Sequence, residues 1–317
     1  MLQNYQNTKP HGLMFHRFHK SGTRPLGQGS VSDTEFEQII NMVGIDRIIS
    51  PDEWLEKIRH GKLEPEDICV TLDDGLASQY NVALPVLEQF GIKAFWFIFS
   101  SVFKGGIDKN EIYNRFATTH FSSFDDFTRD FIEFGAIKNN IFHTPAYREY
   151  FSMMGQKAPF FTSGDFKFRY VRNFILQRRE YEKMMDEFIL SKDTEVSQLA
   201  RDIWMTNENL EHLNSTGHCI GLHSYDHPSV LKELPLKDQE AQYRSNKNHI
   251  WAVTGNPVES VAHPLNSYSA ETLNILNRLG VFCGFRSDMI PHVVSTRLDG
   301  IGLEIPREDS THLLNAL

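Results

Sequence analysis

Short apolar runs alternate with amphipathic stretches along most of this chain. The runs predict strands at residues 12–16, 68–72, 93–99, 219–223, 260–263, 281–285 and 301–305. Apolar positions at helical spacing, with capping residues or glycines at their ends, predict helices at 32–42, 83–90, 206–213, 237–253 and 269–279. Strands that are apolar on both faces and alternate with helices form a parallel sheet covered by helices, either a barrel or a doubly wound sheet.

The alternation breaks between residues 104 and 203, where aromatic and basic residues at helical spacing predict a mainly helical insertion. Phe124, Phe127, Phe131 and Phe134 share one helical face, which indicates a small core of the insertion's own. Basic residues follow, and they indicate a solvated face; they are Arg169, Arg172, Arg178, Arg179 and Lys183. The alternative is a cap that packs at the carboxyl ends of the strands and supplies substrate contacts, with the arginines meeting a phosphate. We therefore expect a barrel from 10–103 and 204–308, and an insertion or cap from 104–203.

Composition narrows the function classes. The net charge of −9 and the pI of about 5.9 argue against a nucleic-acid partner, which would need a basic face. The longest apolar run, 94–103, is too short to span a bilayer. The first residues lack a basic head and an apolar stretch, so we expect no secretory signal.

Cys69, Cys219 and Cys283 lie in apolar runs without a metal or disulfide spacing, which suits a reducing cytoplasm. The sequence leaves the oligomeric state open.

Two polar motifs follow predicted strands, and catalytic groups collect at the carboxyl ends of strands in both candidate folds. Residues 71–75 read TLDDG, and residues 223–227 read HSYDH. On its own a DDG is typical of a turn, and a lone HxxxH is a weak metal signal. Together they supply one carboxylate and two imidazoles, with a second carboxylate free to take a proton. Three protein ligands that leave a position open for water are typical of a catalytic zinc ion.

These motifs resemble those of the polysaccharide deacetylase family, also called the NodB-homology group or carbohydrate esterase family 4. The segment FHRF at 15–18 is similar to the first strand of many members, and GIKAFWFI at 91–98 to the strand after the first motif. The resemblance implies an α/β fold, a distorted (β/α)7 barrel. It also implies that Asp73 is the catalytic base and that Asp74, His223 and His227 bind the metal.

The third motif departs from the family pattern. Residues 262–266 read AHPLN, with His263 and Leu265 at the usual aromatic positions and no arginine to orient Asp73. The resemblance places an oxyanion donor at the backbone N–H of Leu265. The catalytic acid stays open among four histidines, of which His263 is preferred because it lies in this motif; the other three are His16, His292 and His312. Ser224, Asp226 and Arg307, together with His16, are further candidates for orienting the ligands or binding substrate.

The family implies hydrolysis of an N-acetyl group on an acetamido sugar. With the expected cytoplasmic location, this favours a nucleotide- or lipid-linked precursor in surface-polysaccharide synthesis. Two alternatives remain: a degenerate member that binds a glycan without turnover, and an amidase or esterase for a non-sugar substrate.

Overall fold

The computed structural model describes residues 9–27, 29–157, 161–290 and 302–317. The chain divides into two units: Met1–Ile107 with Trp204–Leu317, and Asp108–Ile203. Each unit is treated by itself below.

The strands all belong to the first unit. They are β1 His11–Phe15, β2 Phe18–His19, β3 Val31–Ser32, β4 Ile68–Asp73, β5 Phe95–Ile98, β6 Cys219–Leu222, β7 Ser260–Ala262, β8 Cys283–Phe285 and β9 Arg307–Asp309. Seven of them form one parallel sheet in the order β8-β7-β6-β5-β4-β1-β9, while β2 and β3 form a separate parallel pair.

Helices occur in both units. In chain order the α-helices of the described residues are α1 Asp33–Val43, α2 Pro51–Arg59, α3 Leu84–Gln89, α4 Lys109–His120, α5 Phe124–Phe134, α6 Pro145–Lys157, α7 Ser163–Tyr170, α8 Arg178–Leu190, α9 Val196–Leu199, α10 Asn207–Ser215, α11 Leu236–Thr254, α12 Ala270–Arg278 and α13 Ser310–Ala316. Side-chain caps fix several starts: Ser32, Ser50, Thr206 and Ser269 each accept a hydrogen bond from a backbone N–H in the first turn.

The sheet curls into a nearly closed barrel. Its two edges approach at Ile305, which bridges to Phe285 of β8 through two backbone hydrogen bonds of 2.8 Å. The same segment continues into β9, which pairs with β1. The prediction of a (β/α)7 barrel is confirmed, and the doubly wound alternative is excluded.

Alternate strand residues face the barrel interior. The interior cluster includes Trp54, Cys69, Phe95, Phe97 and Phe285, all completely buried. The opposite faces of the strands pack under the helices in a larger apolar cluster. Both faces are therefore buried, which explains why the strand sequences lack a polar alternation.

The predicted strand ends differ from the observed ones by up to about two residues, with one larger departure. Residues 301–305 were expected to form the last strand, but that strand is β9, Arg307–Asp309. Leu303 lies in a short turn and Ile305 forms only the single bridge to β8. Residue 301 lies outside the described residues. Because Pro306 has no N–H to donate, the regular pairing with β1 begins only after it.

The second unit is helical and has its own aromatic core. Phe127 and Phe131 of α5 are completely or almost completely buried, together with Phe116 of α4 and Phe188 of α8. Phe134, at the end of the same helical face, is 40% exposed. The position of this unit relative to the barrel stays a prediction. No helix among the described residues is long and apolar enough to cross a membrane.

Candidate metal and catalytic site

The two polar motifs meet because β4 and β6 both flank β5 and run parallel. Asp73 ends β4, and His223 follows β6 directly. The chain then turns sharply: Asp74, Ser224 and His227 have φ of 79°, 64° and 52°. Non-glycine residues rarely adopt this left-handed conformation, and such strain concentrates at functional sites. These turns bring the side chains of Asp74, His223 and His227 close together beyond the ends of β4 and β6.

Asp74, His223 and His227 form a group of possible metal ligands. One ligand atom from each residue lies within 4.8 Å of the others. Oδ1 of Asp74 is 3.4 Å from Nε2 of His223 and 3.6 Å from Nε2 of His227. Nδ1 of His223 is 2.8 Å from the carbonyl oxygen of Ala262, so that nitrogen carries the proton and Nε2 is free to bind a cation.

The surroundings of these residues fit a bound cation. Oδ1 of Asp74 is buried and accepts no hydrogen bond within the described part of the chain. Burial alone would raise the pKa of Asp74, but the neighbouring His223 and His227 hold it well below its usual range. Burial lowers the pKa of His227 to about 4, which keeps its imidazole neutral. A buried, ionised carboxylate oxygen that faces two imidazole nitrogens is a suitable donor set for a divalent transition metal.

The neighbouring carboxylate, Asp73, is held by Arg307 of β9. The guanidinium donates two parallel hydrogen bonds of 2.7 Å, from NH1 to Oδ1 and from NH2 to Oδ2. Both side chains are almost completely buried. Nε of Arg307 donates to the carbonyl oxygen of Arg286 at 2.6 Å, and NH1 also reaches Thr71. Burial would raise the pKa of Asp73, but the charge and hydrogen bonds of Arg307, together with the nearby His223 and His16, outweigh it and lower that pKa.

Arg307 therefore provides the contact to Asp73 for which the third motif has no arginine. It comes from a different strand, and Gly12 of β1 makes room for it: a Cβ at Gly12 would lie 3.1 Å from Cγ of Arg307 and 3.0 Å from the Thr71 methyl group. The ring of Phe97 lies on the other side, 5.9 Å from the guanidinium carbon. The bidentate geometry fixes the plane of the Asp73 carboxylate.

His16 lies beside the same carboxylate. Its Nε2 is 3.9 Å from Oδ2 of Asp73, and its side chain is one-third exposed. The buried side chain of Gln79 connects the residue after β1 with the last residue of β4, because its amide donates to the carbonyl oxygens of His16 at 2.7 Å and Asp73 at 2.5 Å. His16 thus has one ring nitrogen near the Asp73 carboxylate and a side chain that reaches solvent.

His263, the preferred acid in the sequence analysis, has a different environment. Its ring is completely buried and stacks on Tyr268, with Nε2 2.8 Å from the carbonyl oxygen of Leu303. Burial lowers its pKa to about 4, so this imidazole is neutral near pH 7, and its one N–H, at Nε2, donates to the Leu303 carbonyl oxygen. His16 therefore reaches solvent and His263 does not, and the choice of the acid between them stays a prediction. His312 pairs with Glu308 on an exposed helix, and His292 lies outside the described residues.

The other predicted residues have backbone or turn roles. The Ser224 hydroxyl accepts from the N–H of His227 at 3.1 Å and so stabilises the turn between the two histidines. Leu265 has a φ of 50° and an exposed side chain, and its N–H donates no hydrogen bond among the described residues. Its assignment as an oxyanion donor stays a prediction.

Two residues of α11 that the sequence analysis missed support the histidine motif. Asn246 is completely buried; its Oδ1 accepts from the N–H of His223 at 2.9 Å, and its amide donates to Ile98 and Ser100. Gln242, one turn earlier, accepts from the N–H of Tyr225 and of Asp226. In the sequence, their spacing of four indicates that both side chains lie on one face of a helix, but it does not show that this face contacts the histidine motif.

Solved structures with a similar fold include three bacterial proteins. The Streptococcus pyogenes deacetylase PplD, in complex with acetate, is 14% identical with a TM-score of 0.56, over 98% of this chain and 99% of that chain. A de-N-acetylase from Aggregatibacter actinomycetemcomitans is 12% identical with a TM-score of 0.55, over 97% and 99%. IcaB from Ammonifex degensii is 17% identical with a TM-score of 0.51, over 96% and 93%. At these identities the likeness shows the fold alone.

No curated protein matches the sequence. The family model described as "Polysaccharide deacetylase" matches residues 121–283, from the second unit to β8. The match covers the histidine motif and the AHPLN segment, although Asp73 and Asp74 lie before it. Because it spans more than half of the 317 residues, and because the barrel agrees with it, this chain belongs to the polysaccharide deacetylase family.

Proposed function

We propose that this protein is a metal-dependent hydrolase that removes the N-acetyl group from an acetamido sugar. The observation that carries the proposal is the pairing of two adjacent aspartates with different partners. Asp73 is fixed by the guanidinium of Arg307, while Asp74 faces the imidazoles of His223 and His227. One carboxylate is thus available as a base and the other as a ligand.

Asp74, His223 and His227 would hold the divalent metal, which we assign as zinc because two imidazoles and one carboxylate suit it. When bound, a zinc ion lowers the pKa of water and polarises a carbonyl oxygen. Asp73 does not share in this ligand set, because both of its oxygens are bonded to Arg307.

Asp73 takes the proton of the attacking water. Arg307 keeps the carboxylate ionised and holds it in one orientation, so that it is ready to accept a proton. The cost of this arrangement is a weaker base, because the same guanidinium lowers the pKa of Asp73. A positioned general base contributes about 10²–10⁴-fold to the rate.

His16 gives a proton to the departing sugar amine. It replaces His263 in this role, because its Nε2 lies near the Asp73 carboxylate and its ring reaches solvent. The amide of Leu265 is proposed as a donor to the negatively charged oxygen of the tetrahedral intermediate. A backbone donor at this position does not depend on the aromatic side chain that the third motif lacks.

The substrate class rests on the family and on the cysteine usage. The related structures include a deacetylase and a de-N-acetylase, which supports N-acetyl hydrolysis here. The three free cysteines, two of them completely buried, suit a reducing compartment. We therefore propose a cytoplasmic enzyme acting on a nucleotide- or lipid-linked acetamido sugar.

The test measures acetate release and metal content together. The parent should release acetate from N-acetylated sugars, lose this activity with a chelator and regain it with zinc. Asp74→Ala and His223→Ala should lose the metal, whereas Asp73→Asn should keep it and lose about 10²–10⁴-fold in turnover.

Four outcomes would contradict the proposal. Full metal content in both Asp74→Ala and His223→Ala would remove the ligand assignment. Parent-like activity of Asp73→Asn would remove the base. A metal-loaded parent that binds N-acetylated sugars without releasing acetate would favour the glycan-binding alternative, and release from simple amides or esters alone would favour the non-sugar hydrolase.

A further inference from the structure

The second unit contains a cleft of about 510 Å³, formed by α6, α7 and the turn Asn139–His143 that precedes them. This volume is within the range of sites that bind small molecules. All of its lining residues belong to the second unit, and none of them is among the residues proposed for catalysis.

Aromatic rings form one part of the lining. Phe142, Tyr147 and Phe151 contribute rings whose centroids are 5.2 Å apart for Phe142–Tyr147 and 6.1 Å apart for Tyr147–Phe151. Phe142 and Tyr147 are mostly buried, but Phe151 is 43% exposed. An exposed ring of this size beside a concave surface offers an apolar face to the C–H face of a sugar ring.

Cationic side chains form the other part. Arg148 and Lys167 line the cleft, together with His143, and no Asp or Glu does. The ammonium group of Lys167 lies 5.5 Å from the centre of the Phe142 ring. In a chain with a net charge of −9, a cavity lined by cations and without carboxylates is unusual.

The charge of these two cations is not neutralised. Five of the other basic side chains in the unit form ion pairs with carboxylates; these are Lys109, Arg129, Arg178, Lys183 and Lys192. Within the described ranges, neither Arg148 nor Lys167 forms an ion pair. The cleft therefore combines an apolar ring surface with free positive charge.

We propose that this cleft binds a sugar carrying an anionic group, with the ring on Phe151 and the phosphate or carboxylate on Arg148 and Lys167. Guanidinium and ammonium groups are suited to such anions, and a charge-assisted hydrogen bond is stronger than a neutral one. The inference deepens the proposed function, on which it rests for the sugar, by assigning a place for the charged part of the glycan.

The experiment measures binding to the full-length, metal-loaded protein by isothermal titration calorimetry. The ligands are N-acetylglucosamine 1-phosphate, glucuronate, neutral N-acetylglucosamine and inorganic phosphate. Arg148→Gln/Lys167→Gln should weaken binding of at least one of the two anionic sugars about tenfold or more. Whichever anionic sugar is affected identifies the source of the charge as phosphate or carboxylate.

The matched control is Arg129→Gln/Lys183→Gln, which removes the same two charge types from ion-paired, exposed positions of the same unit. This variant should bind the anionic sugars with a Kd within about twofold of the parent's, because a distant charge is screened at ordinary salt. Phe151→Ala is a second probe; it should weaken the anionic sugar but not inorganic phosphate.

Equal binding of the anionic sugars by the parent and Arg148→Gln/Lys167→Gln would overturn the inference. So would an equal loss in the control variant, or inorganic phosphate binding as tightly as the sugar phosphate. Acetate release from neutral N-acetylglucosamine oligomers is assayed in parallel on the parent. Failure there would overturn the proposed function and leave the binding result intact, so the two failures are distinguishable.

Discussion

Asp73 and Asp74 are adjacent in sequence but have opposite environments. Asp73 has both oxygens bonded to Arg307, whereas Oδ1 of Asp74 has no hydrogen-bond donor among the described residues. The left-handed backbone at Asp74 turns its side chain away from that of its neighbour. One turn thus places two chemically identical groups in different surroundings, one paired with a guanidinium and the other facing two imidazoles.

The two candidate acids can be separated by substitution. His16→Asn should lower turnover about 10²–10⁴-fold, as expected for loss of a general acid, with the metal retained. His263→Asn should mainly lower the free energy of unfolding, since it leaves a gap against Tyr268. Turnover, metal content and urea unfolding of both variants check this. The reverse result would restore His263 as the acid.

The proposed metal ligands and the proposed base could be selected from the sequence because each lies in a motif of five residues at a strand end. It did not assign Arg307 to Asp73, because their contact joins residues 234 positions apart and depends on the order of the strands. His263 was preferred because of its motif position. Its burial depends on Tyr268 and Leu303, which the motif does not include.

At the scale of one strand, Gly12 of β1 provides the space that Arg307 crosses to reach Asp73. Gly12→Ala would bring a methyl group to 3.1 Å from Cγ of Arg307, and the guanidinium cannot move without losing its paired hydrogen bonds. We expect at least about a tenfold loss of kcat with normal metal content. The control is Gly155→Ala in α6, where a Cβ meets nothing within 4 Å and the backbone is helical. Unchanged kcat in Gly12→Ala would show that Arg307 adapts.

His218, just before β6, links two strands and makes stability depend on pH. Its Nδ1 accepts from the N–H of Ala94 and from the indole N–H of Trp96, each at 3.1 Å. Burial lowers its pKa to about 4 in the folded state, whereas the ordinary value is 6.5. Between these values only the unfolded chain takes up the proton, so acidification lowers stability by at most roughly 1.4 kcal/mol per pH unit.

Urea unfolding at pH 7.5 and pH 5.0 measures this dependence. His218→Gln should be less stable than the parent at pH 7.5 and should lose less stability on acidification. His60→Gln, which replaces an exposed histidine, should keep the parent's dependence. An identical change with pH in all three proteins would exclude His218 as the group responsible.

Helices and strands could be predicted where their own residues include capping groups or apolar runs. Cap residues and apolar spacing placed α1, α10, α11 and α12 close to their observed ends, and the barrel strands were found from apolar runs. The last strand was displaced because residues 301–305 are as apolar as a strand, although only Ile305 pairs. The pair β2–β3 is two residues long on each side and has no periodicity to detect.

For the whole molecule, we predict that the second unit packs at the carboxyl ends of the strands and caps the site. The chain leaves after β5 and returns at Trp204, whose neighbour Met205 bonds to the carbonyl oxygen of Gly75 beside the aspartates. Of the four arginines expected to meet a phosphate, Arg178 pairs with Glu182 and Arg169 lies over Phe161.

Replacing Arg169, Arg172, Arg178 and Arg179 together tests their predicted role. If they bind a substrate phosphate, KM for a phosphorylated sugar should rise about tenfold or more while KM for a neutral sugar stays the same. An unchanged KM for the phosphorylated sugar would exclude these arginines. An experimental structure that places the second unit at the amino ends of the strands would exclude the cap.

The pairing of β9 with β1 also has a consequence for synthesis on the ribosome. The nascent barrel emerges with β1 and Asp73 first, but the strand that covers the free edge of β1 and neutralises Asp73 comes 234 residues after that aspartate. At 5–20 residues per second, the delay is roughly 12 to 47 seconds. During that time the edge of β1 is open to wrong partners, and Asp73 has no counter-ion. The barrel should therefore close only after β9 has been translated, and the same strand then brings Arg307 to Asp73.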